Sequence, residues 1–192
     1  MSGRRRPWAP FGLRPRVARQ ASPAWNVAKT LLQVAGMWTT FYVLLPAAVY
    51  EVESRTMVAQ LRLDPAPWRA PAVAVFAACG VLGIWCGVLL AVGGAGTPLP
   101  FDTARALVVS GPYRHVRNPM AMLSLTQGAA IAAWLGSPGV AAYVAAGAAV
   151  WNWIARPWEE ADLLVRFGDR YAHYRDHVPC WRLRLRGYVP GE

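Results

Sequence analysis

The chain has 192 residues, of which 55% are hydrophobic and 16% are charged, and its formal net charge is +10. This length predicts one domain. The apolar residues lie in four long blocks with the charges between and outside them, which excludes an evenly mixed soluble domain and indicates a membrane protein. The basic charge favours an anionic membrane surface over nucleic acid, because no nucleic-acid-binding motif accompanies it.

The two ends of the chain carry most of the excess positive charge. Residues 1–24 are rich in Arg and Pro, and we expect a disordered cytosolic arm that lies against anionic lipid headgroups. Residues 25–192 are expected to form the membrane domain, with the first helix retained because the apolar run is too long for a signal peptide. Three cysteines without Cys-x-x-Cys spacing do not indicate a disulfide framework or a zinc site.

The first two apolar blocks are predicted to be membrane anchors. Block one, about residues 25–50, is long enough to cross a hydrocarbon core of about 30 Å. Block two, about residues 71–94, contains Gly80, Gly83 and Gly87 about one helical turn apart. Small residues at this spacing let helices approach closely.

A long polar connection, residues 93–119, precedes two shorter apolar blocks. Connections of this length are more often functional than short ones. Blocks three and four, about residues 120–135 and 140–154, are shorter than the ~20 residues that a span needs. The turn signal Gly-Ser-Pro-Gly at residues 136–139 therefore predicts a tight helical hairpin.

A charged and periodic segment, residues 159–177, follows the hairpin. Its apolar residues recur at helical spacing and predict one amphipathic surface helix with a face formed by Leu163, Phe167, Tyr171 and Tyr174. The basic arm places the N-terminus in the cytosol, and four crossings return the C-terminus there. The predicted fold is an all-α polytopic membrane bundle with about four transmembrane helices and a cytosolic amphipathic C-terminal helix.

Three motifs carry candidate chemistry. The first is Gly-Pro-Tyr-Arg-His-Val-Arg-Asn-Pro at residues 111–119, where Asn118 is a good N-cap and Pro119 suits a first helical position. The second is Glu159-Glu160, two carboxylates that repel each other unless they are paired or bind a cation. The third is Phe-Gly-Asp-Arg-Tyr-Ala-His-Tyr at residues 167–174, in which the glycine indicates a bend or a close approach.

Each motif also has a structural explanation. The first is compatible with a positively charged juxtamembrane loop with ordinary capping. The acidic pair is compatible with a solvated helix start, or with pairing to Arg117 or Arg156. The third is compatible with a packing helix.

Together the motifs resemble the isoprenylcysteine carboxyl methyltransferase family, which belongs to a wider group with the membrane phospholipid methyltransferases. The resemblance covers about residues 97–181 and matches the order and spacing of all three motifs, followed by Val178-Pro179. It implies S-adenosylmethionine as methyl donor and a lipid-like or prenylated acceptor. The cofactor-binding positions that it implies are Gly111, Tyr113, Arg117, Asn118, Pro119, Glu159, Glu160, Tyr171 and Tyr174.

The expected reaction is O-methylation of a carboxylate, with Arg117, Glu160 and Arg156 as catalytic residues. A carboxylate acceptor needs no base and would be oriented by Arg117 or Arg156. An amine acceptor, as in a phospholipid N-methyltransferase, would need to lose a proton to Glu159 or Glu160. The sequence leaves both acceptors open.

Two other functions compete with methyl transfer, namely an NADPH-dependent membrane reductase and a non-catalytic relative. The second is kept open by Asn118, which stands where the family commonly has histidine and which cannot titrate near neutral pH. His173 and His177 have a metal-compatible spacing, but the residues between them do not match a zinc motif. No metal is therefore expected.

Overall fold

The computed structural model describes residues 16–98 and 102–190, and within them the regular structure is helical, without a β-strand. The prediction of an all-α fold is confirmed. The α-helices are α1 (Pro23–Trp38), α2 (Leu45–Ser54), α3 (Arg69–Gly93), α4 (Pro119–Leu135), α5 (Pro138–Val150), α6 (Arg156–Phe167) and α7 (Asp169–His177). Short 3-10 helices cover Met57–Leu61, Ala66–Trp68 and Gly111–Arg114.

Two helices in the described ranges are long and apolar enough to cross a membrane. They are Pro23–Ser54, with 32 residues, and Ala66–Gly93, with 28 residues. These correspond to predicted blocks one and two. Helix α4 is apolar but shorter, so four crossings and the orientation of the ends remain predictions.

Two π-helical segments join α-helices into longer continuous rods. Thr39–Leu44 connects α1 to α2 and precedes Pro46, while Trp151–Ala155 connects α5 to α6 and precedes Pro157. Proline lacks a backbone N–H, and its ring clashes with the carbonyl four residues earlier. In both rods that earlier residue lies inside the π segment, where the wider turn accommodates the ring.

The predicted hairpin of α4 and α5 is present, but its second arm extends further than expected. Gly136 adopts a left-handed conformation (φ 63°), and the Ser137 hydroxyl caps α5 by accepting from the Val140 N–H at 3.0 Å. The apolar block ends near residue 154 as predicted, but the chain stays helical beyond it, through α6 to Phe167. The cause is the π segment, which absorbs Pro157.

Close packing at α3 depends on two of the three predicted glycines. A Cβ at Gly80 would lie 2.9 Å from the Trp38 ring, and one at Gly87 would lie 3.0 Å from Thr30. Both contacts are with the first helix, so these positions let α1 and α3 approach closely. Gly83 has no neighbour at this distance and does not serve the predicted packing.

The segment predicted as one amphipathic helix is divided at Gly168. This residue has φ 53° and ψ −133°, and α6 ends before it while α7 begins after it. The predicted apolar face still packs together, because Tyr171 and Tyr174 form a buried cluster against Leu163 and Phe167. The break therefore redirects α7 without separating its apolar residues from those of α6.

The end of the bundle away from residues 111–119 contains a buried ion pair. The Glu53 side chain is only 2% exposed, and its Oε1 accepts from Arg62 Nε at 2.5 Å. Its Oε2 accepts from the Ser137 hydroxyl at 2.5 Å and from the Gly139 N–H at 2.7 Å, at the N-terminus of α5. We call Glu53, Arg62, Ser137 and Gly139 the distal cluster, which fixes the end of α2 to the hairpin.

The predicted basic arm is only partly visible, because residues 1–15 lie outside the described ranges. Arg16 and Ala18 form backbone hydrogen bonds with Thr103 in the connection after α3. Lys29 on α1 also forms an ion pair with Asp102. The start of the chain is thereby attached to the connection that leads into the first motif.

Candidate functional site

The first motif forms a 3-10 helix that joins α3 to α7 through Tyr113. The Tyr113 side chain is buried, and its hydroxyl lies 3.5 Å from the Cys86 carbonyl oxygen of α3. The Tyr113 carbonyl accepts a hydrogen bond from the Tyr174 hydroxyl at 2.7 Å. Burial raises the pKa of Tyr113 well above its usual value. Tyr113 is therefore a neutral hydrogen-bonding residue within the site.

Arg117 links the loop to both C-terminal helices. Its Nη2 donates to Glu160 Oε1 at 2.9 Å, and its Nη1 donates to the carbonyls of Arg175 and Val178 at 2.7 and 3.3 Å. The last two are carbonyls at the C-terminal end of α7, where a cation is favourable. Both terminal nitrogens of Arg117 therefore donate hydrogen bonds to other groups of the protein. Its buried Nε has no partner among the described residues.

The two adjacent carboxylates have different environments. Glu160 is 17% exposed and pairs with Arg117 and, at 3.7 Å, with Arg156 on the same helix face. Glu159 is exposed and forms no ion pair with any residue in the ranges 16–98 and 102–190. One acid therefore belongs to an internal ion-pair network, while its neighbour is available to a ligand.

Glu159 is exposed to solvent beside Glu160. Its side chain is accessible to solvent, yet protein surrounds it closely enough to raise the pKa of its carboxyl to about 7, with the nearby charge of Glu160 as the second cause. We call Glu159, Glu160, Arg117, Arg156 and Tyr171 the acidic cleft.

Tyr171 contributes a buried hydroxyl to the acidic cleft. Its side chain is 1% exposed, and its hydroxyl has no hydrogen-bond partner in the described part of the chain. Burial raises the pKa of Tyr171, and the negative charge of Glu160 raises it further. An unpartnered buried hydroxyl is costly unless a ligand or water satisfies it.

The remaining predicted positions lie beside these residues in the first motif. Gly111 begins the 3-10 helix, and Pro119 begins α4 as its first residue, as the sequence predicted. Asn118 is the N-cap residue of α4, as predicted, but its side chain makes no capping hydrogen bond. Its backbone (φ −125°, ψ 67°) and the proline define the helix start instead.

The sequence motifs did not include the C-terminal segment 182–190 in this region. The Arg184 N–H donates to the His115 carbonyl at 2.8 Å, and the Tyr188 N–H donates to the Arg114 carbonyl at 2.9 Å. Arg114 Nε in turn donates to the Tyr188 carbonyl at 2.8 Å. The only sequence signal was Tyr188, an aromatic residue in a basic tail, which is buried against α7.

The two histidines of α7 pack against the same segment. Their rings stack with centroids 4.1 Å apart, and His173 Nδ1 lies 2.9 Å from the Tyr188 hydroxyl. No group of three possible metal ligands occurs among the described residues. The histidines therefore have a packing role in this structure.

Comparison with known families agrees with this arrangement. The family described as phospholipid methyltransferase matches residues 72–170, which is more than half of the chain. The match includes most of α3, the first motif, the hairpin and the acidic pair. No curated protein and no solved structure matches the chain.

The match confirms the wider group to which the sequence motifs pointed, while the narrower isoprenylcysteine carboxyl methyltransferase resemblance stays a prediction. The matched region carries α3 from Ala72 onward, the hairpin of α4 and α5, and the residues of the acidic cleft except Tyr171. The chain therefore belongs to the phospholipid methyltransferase family, a membrane-associated family of methyltransferases that act on lipid-like substrates.

Proposed function

We propose that the protein is an integral, multi-pass membrane methyltransferase that uses S-adenosylmethionine and methylates a lipid-like acceptor at the cytosolic face. Both chain ends lie on that face in this proposal, as the charge distribution predicts. The observation that carries it is Glu159, an exposed carboxylate near Glu160 and Tyr171 that has no ion-pair partner in the described ranges. Such a group suits a cationic ligand, and the donor carries both an ammonium and a sulfonium group.

The other residues of the acidic cleft fit the same donor. Tyr171 offers an unpartnered hydroxyl and Arg117 an unpartnered Nε, both buried, which can donate to polar oxygen or nitrogen atoms of a ligand. Tyr113, with Gly111 beside it, and Tyr174 hold the loop and α7 around the cleft. When bound, S-adenosylmethionine supplies an activated methyl group, and the protein contributes positioning and exclusion of water.

The first candidate acceptor is a carboxylate on a prenylated or otherwise lipid-like molecule, the acceptor expected from the resemblance. This acceptor is already a nucleophile, so it needs an orienting cation rather than a base. Arg117 is occupied by Glu160 and by carbonyls of the α7 end, so we assign orientation to Arg156. Arg156 touches Glu160 only at 3.7 Å and keeps 27% of its side chain exposed.

An amine headgroup is the second candidate, and one specific observation favours it. The pKa of Glu159 is raised to about 7 because protein surrounds it and Glu160 lies beside it. A carboxylate with a pKa near neutral is suited to accept a proton from an ammonium acceptor before methyl transfer. Glu160 is less suited to this role because it is held by Arg117.

Calorimetric titration of the purified protein with S-adenosylmethionine and with NADPH tests the donor. We expect saturable binding of the first and none of the second. Binding of NADPH alone would support a reductase and overturn the proposal, and binding of neither would support a non-catalytic relative.

Transfer of a labelled methyl group tests the acceptor. The protein in lipid nanodiscs would receive either a prenylcysteine analogue with a free carboxylate or phosphatidylethanolamine. Label in a base-labile ester identifies the carboxylate acceptor, whereas label in the headgroup amine identifies the second candidate. A matched prenylcysteine amide, which lacks the carboxylate, serves as control.

A further inference from the structure

An apolar groove lies between the first long helix, the start of α3 and the end of α4. Its volume is ≈ 810 Å³. Aromatic and aliphatic side chains line it, including Trp38, Tyr42, Tyr50, Val73, Phe76 and Trp134. The groove therefore has the lining that a hydrocarbon chain requires.

The lining of the groove includes none of the residues of the acidic cleft. On the cleft side Trp38 packs close to the Gly80 backbone, and the Gln127 side chain, only 2% exposed, donates to the Phe76 carbonyl at 3.2 Å. The Trp38 and Phe76 rings are also in edge contact, with centroids 5.7 Å apart. These contacts lie between the groove and the residues of the first motif.

A basic side chain without an acidic partner lies at the distal mouth of the groove. Arg69 is exposed, and it forms no ion pair with any acid in the ranges 16–98 and 102–190. Its guanidinium carbon lies 5.8 Å from the centroid of the Trp134 ring, which lines the groove. Arg69 also precedes the groove residues Ala72 and Val73 by one helical turn, so the three share a face of α3.

The length of α3 places Arg69 at the depth of lipid headgroups. The helix has 25 residues from Arg69 to Gly93, which is about 37 Å at a rise of 1.5 Å per residue. This slightly exceeds the ~30 Å of a hydrocarbon core. If Gly93 lies at the interface that carries the acidic cleft, Arg69 lies at the headgroup level of the opposite leaflet.

We propose that the groove binds an anionic phospholipid of the opposite leaflet, with an acyl chain against the aromatic lining and the phosphate group at Arg69. Charge complementarity selects this occupant, because the guanidinium at the mouth matches an anionic headgroup and the lining matches a hydrocarbon tail. The site is separate from the donor and acceptor sites. It does not depend on the identity of the methyl acceptor.

Native mass spectrometry of the full chain, titrated with phosphatidylglycerol or with phosphatidylcholine of identical acyl chains, tests this site. We expect the wild-type protein to bind phosphatidylglycerol about fivefold more tightly, from one arginine near the headgroup. Arg69→Gln should abolish the preference. The matched control is Arg55→Gln, which removes an exposed arginine near the same end that is already paired with Glu51.

A second variant tests the groove itself. Val73 is 58% exposed and lines the groove, so Val73→Phe fills it without altering the buried core. We expect this variant to lose the tight binding of both lipids while its affinity for S-adenosylmethionine stays unchanged. Equal binding of the two lipids by wild type, a preference that survives Arg69→Gln, or unchanged binding by Val73→Phe would each overturn the proposal.

Discussion

Both ends of the bundle contain a carboxylate beside an arginine, but the two ends differ in how far their carboxylates are buried and paired. In the distal cluster, Glu53 is 2% exposed and receives hydrogen bonds from Arg62, Ser137 and the Gly139 N–H. In the acidic cleft, Glu160 is similarly held by Arg117, but Glu159 beside it is exposed and has no ion-pair partner in the described ranges.

This difference separates a structural acid from a candidate ligand-binding acid. A buried carboxylate whose hydrogen bonds are all made by the protein connects helices and has no capacity left for a ligand. A carboxylate that is enclosed but unpaired is not required by the fold, and its raised pKa is typical of functional sites. Changes in the distal cluster should therefore alter stability, whereas changes at Glu159 should alter binding.

The largest effect is expected from Arg62→Met in the distal cluster. Removing the arginine leaves the Glu53 carboxylate buried without its cation, which costs about 3–5 kcal/mol of unfolding free energy. Denaturant unfolding in detergent micelles measures this. Arg55→Met is the control and should change stability by less than about 1 kcal/mol, because its pair with Glu51 is exposed. If both variants are equally stable, the distal cluster does not have the structural role assigned to it.

The next effect is expected from Glu159→Gln in the acidic cleft. Loss of one charge-assisted contact with a cationic donor costs about 2 kcal/mol, or about a 30-fold loss of affinity for S-adenosylmethionine. The unfolding free energy should not fall, because the substitution removes a carboxylate whose raised pKa makes its charged form unfavourable in the folded protein. Asp169→Asn, which changes an exposed acid at the start of α7, is the matched control. Equal affinity in Glu159→Gln and wild type would remove Glu159 from the donor site.

The pH dependence of donor binding should follow the ionisation of Glu159. With a pKa of about 7, the carboxylate loses most of its charge between pH 8 and pH 6, so affinity should fall by about tenfold over that range. Calorimetry at the two pH values measures this, and Glu159→Gln should lose most of the dependence. An affinity that rises as pH falls would contradict the assignment.

Stability of the ligand-free protein should show the opposite trend from the same group. The folded protein holds a proton on Glu159 up to about pH 7, whereas the unfolded chain releases it near the ordinary value of 4.5. The contribution of Glu159 is therefore fully present below pH 4.5 and decreases as pH rises towards 7. Comparison of wild type with Glu159→Gln across this window isolates the effect.

The smallest effect is expected from Gly168→Ala at the break between α6 and α7. The positive φ of 53° disfavours any residue with a Cβ, so we expect a loss of about 1 kcal/mol although no atom obstructs the new methyl group. Gly147→Ala in α5 is the control, because the added methyl group there also has free space. It should be neutral or stabilising by up to about 1 kcal/mol. Equal effects of the two substitutions would show that the break does not depend on glycine.

The helical architecture was predictable because its signals are local. The apolar blocks have helical lengths, Gly136 and Ser137 mark the hairpin turn, and Pro119 marks the start of α4. The continuity of α5 with α6 was not predictable, since proline usually interrupts a helix but Pro157 follows a π segment that accommodates its ring.

The residues of the candidate site were predictable from the sequence, but the hydrogen bonds that connect them were not. The motifs located Tyr113, Arg117 and Glu160, whose side-chain chemistry is visible in the sequence. The engagement of Arg117 with the carbonyls of Arg175 and Val178 was not predictable, because every residue has a carbonyl and the pairing depends on the tertiary fold. The attachment of segment 182–190 to the loop is hidden for the same reason.

Locating bound S-adenosylmethionine directly tests whether the acidic cleft is the donor site. Ultraviolet crosslinking of labelled donor to the purified protein, followed by peptide mass spectrometry, identifies the contacted segments. We predict label in residues 111–119 and 156–177, with loss of label in the presence of excess unlabelled donor. Label confined to the helices around the distal cluster, or label that excess donor does not displace, would contradict the assignment of the acidic cleft as the donor site.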